Sequence, residues 1–132
     1  MILARTFKDL IVWNKSMDLV AEIYSLSRSF PKSEVFGLSN QIQRAAISIP
    51  SNIAEGQGRK STLSFIYHLS ISKGSLQELE TQLILAIRLK FILRDETIEA
   101  ASLINEIGKM LNSLIRKLRK KMRLQKQLKS NH

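Results

Sequence analysis

The sequence predicts an all-α fold, an antiparallel up-down-up-down four-helix bundle, from three observations. Helix-forming residues dominate the 132-residue chain, whereas it contains only 5 Gly and 2 Pro and is 6% aromatic. Apolar side chains recur at alternating intervals of three and four along four segments, as on the buried face of a helix. The breaks between segments are short, so neighbouring helices should run antiparallel. We therefore expect residues 1–132 to form a single bundle domain.

The first two helices are predicted over residues 9–29 and from residue 36 or 39 to residue 57. The core-facing stripe of the first helix is predicted to be Leu10, Trp13, Met17, Val20 and Tyr24. The corresponding stripe of the second helix is Leu38, Ile42, Ala45, Ile49 and Ile53.

Pro50 falls inside the second segment, where it removes a backbone hydrogen bond. Because Ile53 stays in phase with the residues before Pro50, we expect the helix to continue with a kink. Gly56 and Gly58 should then end it. The carbonyl of Ala46 loses its usual helical donor and needs another partner.

The third and fourth helices are predicted to be the longest. The third runs from residue 61 or 62 to about residue 90, with a stripe of Phe65, Leu69, Ser72, Leu76, Leu79, Leu83 and Ala86. Five further apolar residues widen this stripe, so the helix should bury two faces: Ile66, Ile71, Ile84, Leu85 and Ile87. Asp95 is the expected N-cap of the fourth helix, whose stripe is Ile98, Ala101, Ile104, Ile107, Leu111, Leu114, Leu118 and Met122.

The formal net charge of +10 is concentrated at the C-terminus. Residues 1–115 carry 13 basic and 11 acidic side chains, a net charge of +2. Residues 116–132, the basic end of the last helix, carry no acid and eight cations: Arg116, Lys117, Arg119, Lys120, Lys121, Arg123, Lys126 and Lys129. This asymmetry indicates a polyanionic partner.

Two alternatives to nucleic-acid binding stay open for the basic end. Cations at a helix C-terminus complement the helix dipole and keep a protein soluble, although eight of them exceed that need. An anionic membrane surface is a weaker alternative, because few apolar residues accompany the cations. The scarcity of aromatic residues disfavours stacking on unpaired bases and favours contacts with the backbone of folded or duplex nucleic acid. Arg59 and Lys60, in the predicted turn between the second and third helices, are further candidates.

Several classes of protein are disfavoured by the composition. The chain has no Cys, which excludes disulfides and thiolate metal sites. No apolar run approaches the ~20 residues that span a bilayer, and the N-terminus turns polar too early for a secretory signal. We therefore expect a cytoplasmic protein that does not interact with membranes.

The residue pattern gives little support for catalysis, and we expect no catalytic residue, no metal site and no cofactor. His68 and His132 are not at metal-ligand spacing with another ligand, and Glu78 and Glu80 lack the i+3 histidine of a di-iron motif. A remaining hypothesis of hydrolysis or ligand binding needs Glu55, Glu78 and His68 to converge in one cleft.

Two ridges of polar side chains follow the second and third helices. The first ridge is Gln41, Arg44, Ser48, Asn52, Glu55 and Arg59, and the second is His68, Ser72, Ser75, Glu78 and Gln82. The ridges either face solvent or meet, within a subunit or between subunits, where buried polar pairs would fix register and partner choice. The candidates for this role are Arg44, Ser48, Asn52, Glu55, Ser75 and Glu78.

A specific motif runs through the second helix and its surroundings. It contains Gln41, Arg44-Ala45-Ala46, Ser48-Ile49-Pro50, Asn52-Ile53-Ala54-Glu55-Gly56 and Arg59, preceded by residues 7–10, Trp13, Phe30-Pro31 and residues 34–38. Gly74-Ser75, Glu78-Leu79-Glu80 and Gln82-Leu83 follow it. Over residues 5–120 the chain therefore resembles the small four-helix-bundle proteins encoded in intervening sequences of bacterial 23S ribosomal RNA genes. That family is similar to the accessory proteins of diversity-generating retroelements.

The resemblance implies a ring-like homopentamer of antiparallel bundles without enzyme activity. It also implies nucleic-acid binding and a protein partner such as a reverse transcriptase. Our leading hypothesis is a non-catalytic oligomeric bundle that binds nucleic acid, with structured RNA as the favoured ligand, through its basic residues. In view of the resemblance, we expect the oligomer to be a pentamer. The alternative is a structural protein–protein interaction scaffold with no nucleic-acid role.

Overall fold

The computed structural model describes residues 6–131, and this part of the chain forms four α-helices and three short 3-10 helices without a β-strand. The α-helices are α1 (Ile11–Ser27), α2 (Leu38–Gln57), α3 (Thr62–Arg88) and α4 (Ile98–Ser130). The 3-10 helices are Phe7–Asp9, Lys32–Glu34 and Arg94–Thr97. Residues 1–5 and 132 of the predicted domain lie outside the described residues. The predicted all-α class is confirmed.

Each helix packs against the next one along the chain, and α4 packs back against α1. The order of contacts shows antiparallel packing: Ser48 on α2 pairs with Ser75 on α3, and Asn52, later on α2, pairs with His68, earlier on α3. Gly108 of α4 lies beside Leu76 of α3. This order is the predicted up-down-up-down bundle. None of the helices within the described residues combines the length and apolar character that a bilayer-spanning segment requires.

One hydrophobic core contains residues from all four helices. The predicted stripe of α2 is buried along its whole length, and that of α3 is buried except at the half-buried Phe65. Phe30, which follows α1, and Phe91, which follows α3, pack with ring centroids 5.6 Å apart and close one end of the core. Helical periodicity therefore located the core faces of the two central helices.

The predicted stripe of α1 is only partly correct. Leu10, Trp13 and Val20 are half-buried against the core, but Met17 and Tyr24 are 45% and 37% exposed. The fully buried face contains Val12, Ser16, Leu19, Ile23 and Leu26. Both sets of residues have helical spacing, but the buried set contains the polar Ser16 and is therefore the less apolar of the two in sequence. Ser16 is nevertheless compatible with the core because its hydroxyl donates to the carbonyl of Val12 over 2.7 Å.

The predicted start of α4 at Asp95 is also wrong. A 3-10 turn begins at Arg94, and the carboxylate of Glu96 accepts a hydrogen bond from the backbone N–H of Leu93 over 2.9 Å. Glu96 thus caps this 3-10 turn, and Thr97, the N-cap of α4, makes no side-chain capping contact. The α-helix begins at Ile98, which is 68% exposed, and its buried face starts at Ala100.

As predicted, α2 continues through Pro50, and it ends at Gln57. The hydroxyl of Ser72 on α3 donates to the carbonyl of Ile49 over 2.9 Å, so the side-chain donor at this point reaches Ile49 rather than Ala46. Gly58 has ordinary right-handed backbone angles. The end of α2 therefore does not need the left-handed conformation that glycine favours.

Candidate nucleic-acid interface

The basic end of α4 extends past the rest of the bundle. Leu76 of α3 lies beside Gly108 of α4 and is 14 residues from Thr62, where α3 starts. Since the helices are antiparallel, the start of α3 is level with the residue 14 positions after Gly108, which is Met122. Because the two helices have the same rise per residue, the backbone of α4 after Met122 extends past the start of α3. Met122 is half-buried, and residues 123–131 are all exposed.

The eight cations of residues 116–131 are all exposed, and no acidic residue lies in the same stretch. Among the described residues, ion pairs join Lys15 to Glu106 over 2.7 Å and Glu55 to Arg59. The cations of the basic end take part in neither pair. Their charge is therefore available to an anionic ligand.

Three of these cations line an open groove between α3 and α4, which we call the arginine groove. It has a volume of about 450 Å³ and is lined by Ser70, Lys73, Asn112, Ile115, Arg116, Arg119 and Arg123. Lys73 stands on the α3 side and the three arginines on the α4 side. Four cations and no carboxylate line this groove, which makes its interior electropositive.

The space between α3 and α4 continues toward the middle of the bundle. This second part has a volume of about 280 Å³ and shares Lys73 and Asn112 with the arginine groove. Lys109 and Glu80 also line it, together with the amide side chains of Gln77 and Asn105. The positive charge therefore falls off with distance from the basic end, because here a carboxylate offsets the cations.

Arg59 and Lys60 lie in the turn between α2 and α3, at the same end of the bundle as the basic end of α4. In this turn Ser61 caps α3, since its hydroxyl accepts a hydrogen bond from the backbone N–H of Ser64 over 3.0 Å. The guanidinium of Arg59 pairs with Glu55, whereas Lys60 is exposed. Of these two candidates, Lys60 is the one whose charge is not neutralised by a neighbour.

The Lys15–Glu106 pair connects α1 to α4 away from the basic end. The hydrogen bond between the two side chains, together with the attraction of their charges, raises the pKa of Lys15 and lowers the pKa of Glu106. Both groups therefore stay charged at neutral pH. Neither charge is free for a ligand.

Parts of the two polar ridges meet inside one subunit. Ser75 on α3 donates to the hydroxyl of Ser48 on α2 over 2.8 Å. Asn52 donates to the carbonyl of Ser48 over 2.9 Å, and its side-chain oxygen lies 3.1 Å from Nδ1 of His68. These partly buried contacts link α2 to α3 at two levels and fix their register.

The other ridge candidates do not join this network. Arg44, Glu55 and Glu78 are exposed. Glu55 pairs with Arg59, and Glu78 accepts a hydrogen bond from Gln82 over 3.2 Å. Their proposed role in contacts between subunits stays a prediction.

The residues of the hydrolysis hypothesis do not converge. Ten residues of α3 separate His68 from Glu78, which places them about 15 Å apart along the helix. Each has its own partner, Asn52 for His68 and Gln82 for Glu78. Within residues 6–131, no group of three or more His, Asp or Glu residues is arranged to hold a metal ion.

Sequence reasoning missed Lys73, Ser70 and Asn112 as groove residues. The spacing of three and four between Arg116, Arg119 and Arg123 places these arginines on one face of α4. The sequence does not say which helix that face meets, since this depends on the order of helices around the core. Lys73 alone carried a signal, as the one lysine of α3.

Comparisons with known proteins agree with this fold. The family model of the 23S rRNA-intervening sequence protein matches residues 8–113. A crystal structure of a protein of unknown function, from the S23 ribosomal protein family of Bacteroides thetaiotaomicron, is similar to this one with a TM-score of 0.74. The two chains are 32% identical, and the match covers 80% of this chain and 98% of that one. No curated protein is significantly similar to the chain. The sequence motif, the four-helix bundle and the match to the family model together show that this chain belongs to the family of 23S rRNA-intervening sequence proteins.

Proposed function

We propose that this protein is a non-catalytic homo-oligomeric bundle that binds nucleic acid, structured RNA in the first place, through the basic end of α4. The observation that carries the proposal is the cluster of eight exposed cations without an acidic residue, on a helix that extends beyond its neighbours. Phosphates attract such a cluster whatever the base sequence. Lys60 adds a cation at the same end of the bundle.

The proposed assembly is the pentamer that the family resemblance implies. Exposed apolar side chains on α3 support self-association, because Leu63, Tyr67, Ile84 and Leu85 are all more than 40% exposed in a single chain. A ring would present several copies of the basic end to one RNA molecule. Such multivalent binding is tighter than binding through a single copy.

The proposal is tested by binding to a labelled RNA stem-loop across a salt series. The full chain should lose about 10³-fold or more in affinity between about 50 and about 200 mM salt, because bound cations release counterions from the RNA. Replacing Arg116, Lys120, Arg123 and Lys126 by Gln should weaken binding strongly and flatten the salt dependence. Replacing Lys32, Arg88, Lys90 and Arg94, exposed cations at the opposite end of the bundle, changes the net charge equally and should have little effect.

Two outcomes would contradict the proposal. Affinity that depends little on salt would show that phosphates are not the ligand. Equal weakening by the two sets of substitutions would show that overall charge, rather than the basic end, attracts the RNA.

A protein–protein scaffold is the second candidate, and one observation favours it. Phe36, in the connection between α1 and α2, is 92% exposed, and the adjacent Val35 is also exposed. Exposed apolar neighbours are typical of surfaces that dock another protein. A scaffold function would survive loss of the basic end but not a Phe36→Asp substitution. The variant with Gln at the four basic-end positions given above therefore also separates the two candidate functions.

A further inference from the structure

The eight cations of the basic end are not distributed evenly around α4. Its three arginines, Arg116, Arg119 and Arg123, all line the arginine groove. Lys117 instead lines a different groove, formed with the start of α1. Lys126 and Lys129 lie further along, beside Met122 and Gln125. All three arginines of this stretch thus line the groove between α3 and α4, whereas Lys117, Lys126 and Lys129 lie outside it.

The two residue types bind phosphate differently. The guanidinium group is planar, carries five donors and holds two phosphate oxygens at once, whereas the lysine ammonium acts as a mobile point charge. Concentrating arginine in a groove gives directional contacts at fixed positions. Lysines on open helix faces attract a polyanion at longer range without fixing its position.

The shape of the groove fits an extended polyanion. Arg116 and Arg123 are seven residues apart, so the arginine row is about 10 Å long. A nucleic-acid strand lying along the groove brings successive phosphates past this row. Lys73 and the hydroxyl of Ser70 line the groove from α3, and the amide side chain of Asn112 lines it from α4. Buried Ile115 forms the apolar floor, so the bound groups are partly removed from water.

We propose that the arginine groove holds the phosphodiester backbone of one nucleic-acid strand, with Arg116, Arg119 and Arg123 on one side and Lys73 on the other. This proposal rests on the proposed function and assigns the contacts within it. The groove is the binding site, and the surrounding lysines serve mainly to attract the polymer. Because the contacts are to phosphate, RNA and DNA duplexes of the same sequence use the same residues.

The test compares two triple variants that change the charge equally within one stretch of α4. The groove variant carries Arg116→Gln, Arg119→Gln and Arg123→Gln, and the control carries Lys117→Gln, Lys121→Gln and Lys129→Gln. Affinity for a labelled RNA stem-loop should fall about 100-fold in the groove variant and less than about 5-fold in the control. The slope of log affinity against log salt should shrink by about 3 in the groove variant and by less than about 1 in the control.

A substitution at Lys73 tests the groove independently, because Lys73 lies on α3 and outside the basic end. Lys73→Gln should weaken binding about 10-fold, whereas Lys32→Gln at the opposite end of the bundle should leave it unchanged. Circular dichroism should be used to check that each variant is folded. A DNA duplex of the stem sequence should give the same order of variants.

The outcomes separate this proposal from the proposed function. Salt-dependent binding by the wild type, with equal losses in the two triple variants or no loss in Lys73→Gln, overturns the groove and leaves the basic end as the site. A loss confined to RNA overturns the assignment to phosphate. Absence of salt-dependent binding by the wild type overturns the proposed function itself.

Discussion

Gly56 lies at a close approach between α2 and α3. A Cβ atom at this position would lie 2.8 Å from Cβ of His68 and 2.9 Å from Cδ1 of Phe65. Such distances are shorter than van der Waals contact, and Cβ of His68 cannot move without its backbone. The contact lies next to the Asn52–His68 hydrogen bond. Gly56 therefore lets the two helices come close enough for their polar side chains to pair.

We predict that Gly56→Ala destabilises the fold by about 1–3 kcal/mol, because the added methyl group forces α2 and α3 apart. Gly108→Ala in α4 is the matched control, since a Cβ at that helical position meets only Cδ2 of Leu76, at an ordinary 3.5 Å. It should stabilise the protein by about 0.5–1 kcal/mol through the higher helix propensity of alanine. Urea denaturation monitored by circular dichroism measures both. A Gly56→Ala protein as stable as Gly108→Ala would contradict the close approach.

At the scale of single residues, the sequence predicts local features such as helix caps, but it does not predict the distances between helices. Ser61 caps α3, as a serine just before the first helical residue commonly does. Gly56 was interpreted as a helix terminator, because a sequence does not reveal how near a second helix comes. The sequence also contains no indication of the backbone conformation of Lys90. This residue follows α3 and is left-handed, with φ of 63°, where glycine is usual. There the N–H of Phe91 donates to the carbonyl of Ala86 over 3.0 Å, as it does in a Schellman motif.

The third helix exposes apolar residues on its outer face. The sequence predicted that α3 buries two faces, and in a single chain Ile66 is buried whereas Ile84 and Leu85 are 49% and 44% exposed. Tyr67 and Leu85 are separated by five helical turns and therefore lie in line on this face. Glu78, a candidate for contacts between subunits, lies near the same line. Burial of this face by a second copy would complete the predicted pattern.

We predict that replacing both Tyr67 and Leu85 by Lys prevents assembly, because the interface would have to bury two charges. Light scattering should give the wild type a mass of about five times 15.1 kDa and the double variant the mass of a single chain. Lys substitutions at Leu93 and Ile98, equally exposed apolar residues outside α3, are the control and should preserve the oligomer. A wild-type monomer, or a variant that still assembles, would exclude this face as the interface.

Periodicity located some helix faces and misplaced others for a physical reason. In α2 one apolar stripe dominates, and it is the buried one. In α1 two stripes compete, and the packing of Ile23 and Leu19 against the other helices selected the one that contains Ser16. In α4 the first predicted stripe residue, Ile98, lies where the helix has just begun, outside the core. Where a helix offers two apolar faces, only the tertiary arrangement decides between them.

The whole molecule has two chemically different ends. One end carries the basic part of α4 with Lys60, and the other carries the exposed Val35 and Phe36 in the connection between α1 and α2. The cations were predictable because eight of them without an acidic residue form a clear signal in the sequence. The arginine groove was not, since Lys73 meets Arg116 only through the order of helices in the bundle.

Hydrogen–deuterium exchange with and without an RNA stem-loop tests most directly whether the basic end is the RNA-binding site. Bound RNA should slow amide exchange in peptides from residues 112–131, whose exposed end otherwise opens readily. Peptides that contain Val35 and Phe36 should exchange at the same rate in both samples. Protection confined to the Val35–Phe36 end, or no protection anywhere at saturating RNA, would contradict the assignment of the basic end as the nucleic-acid interface.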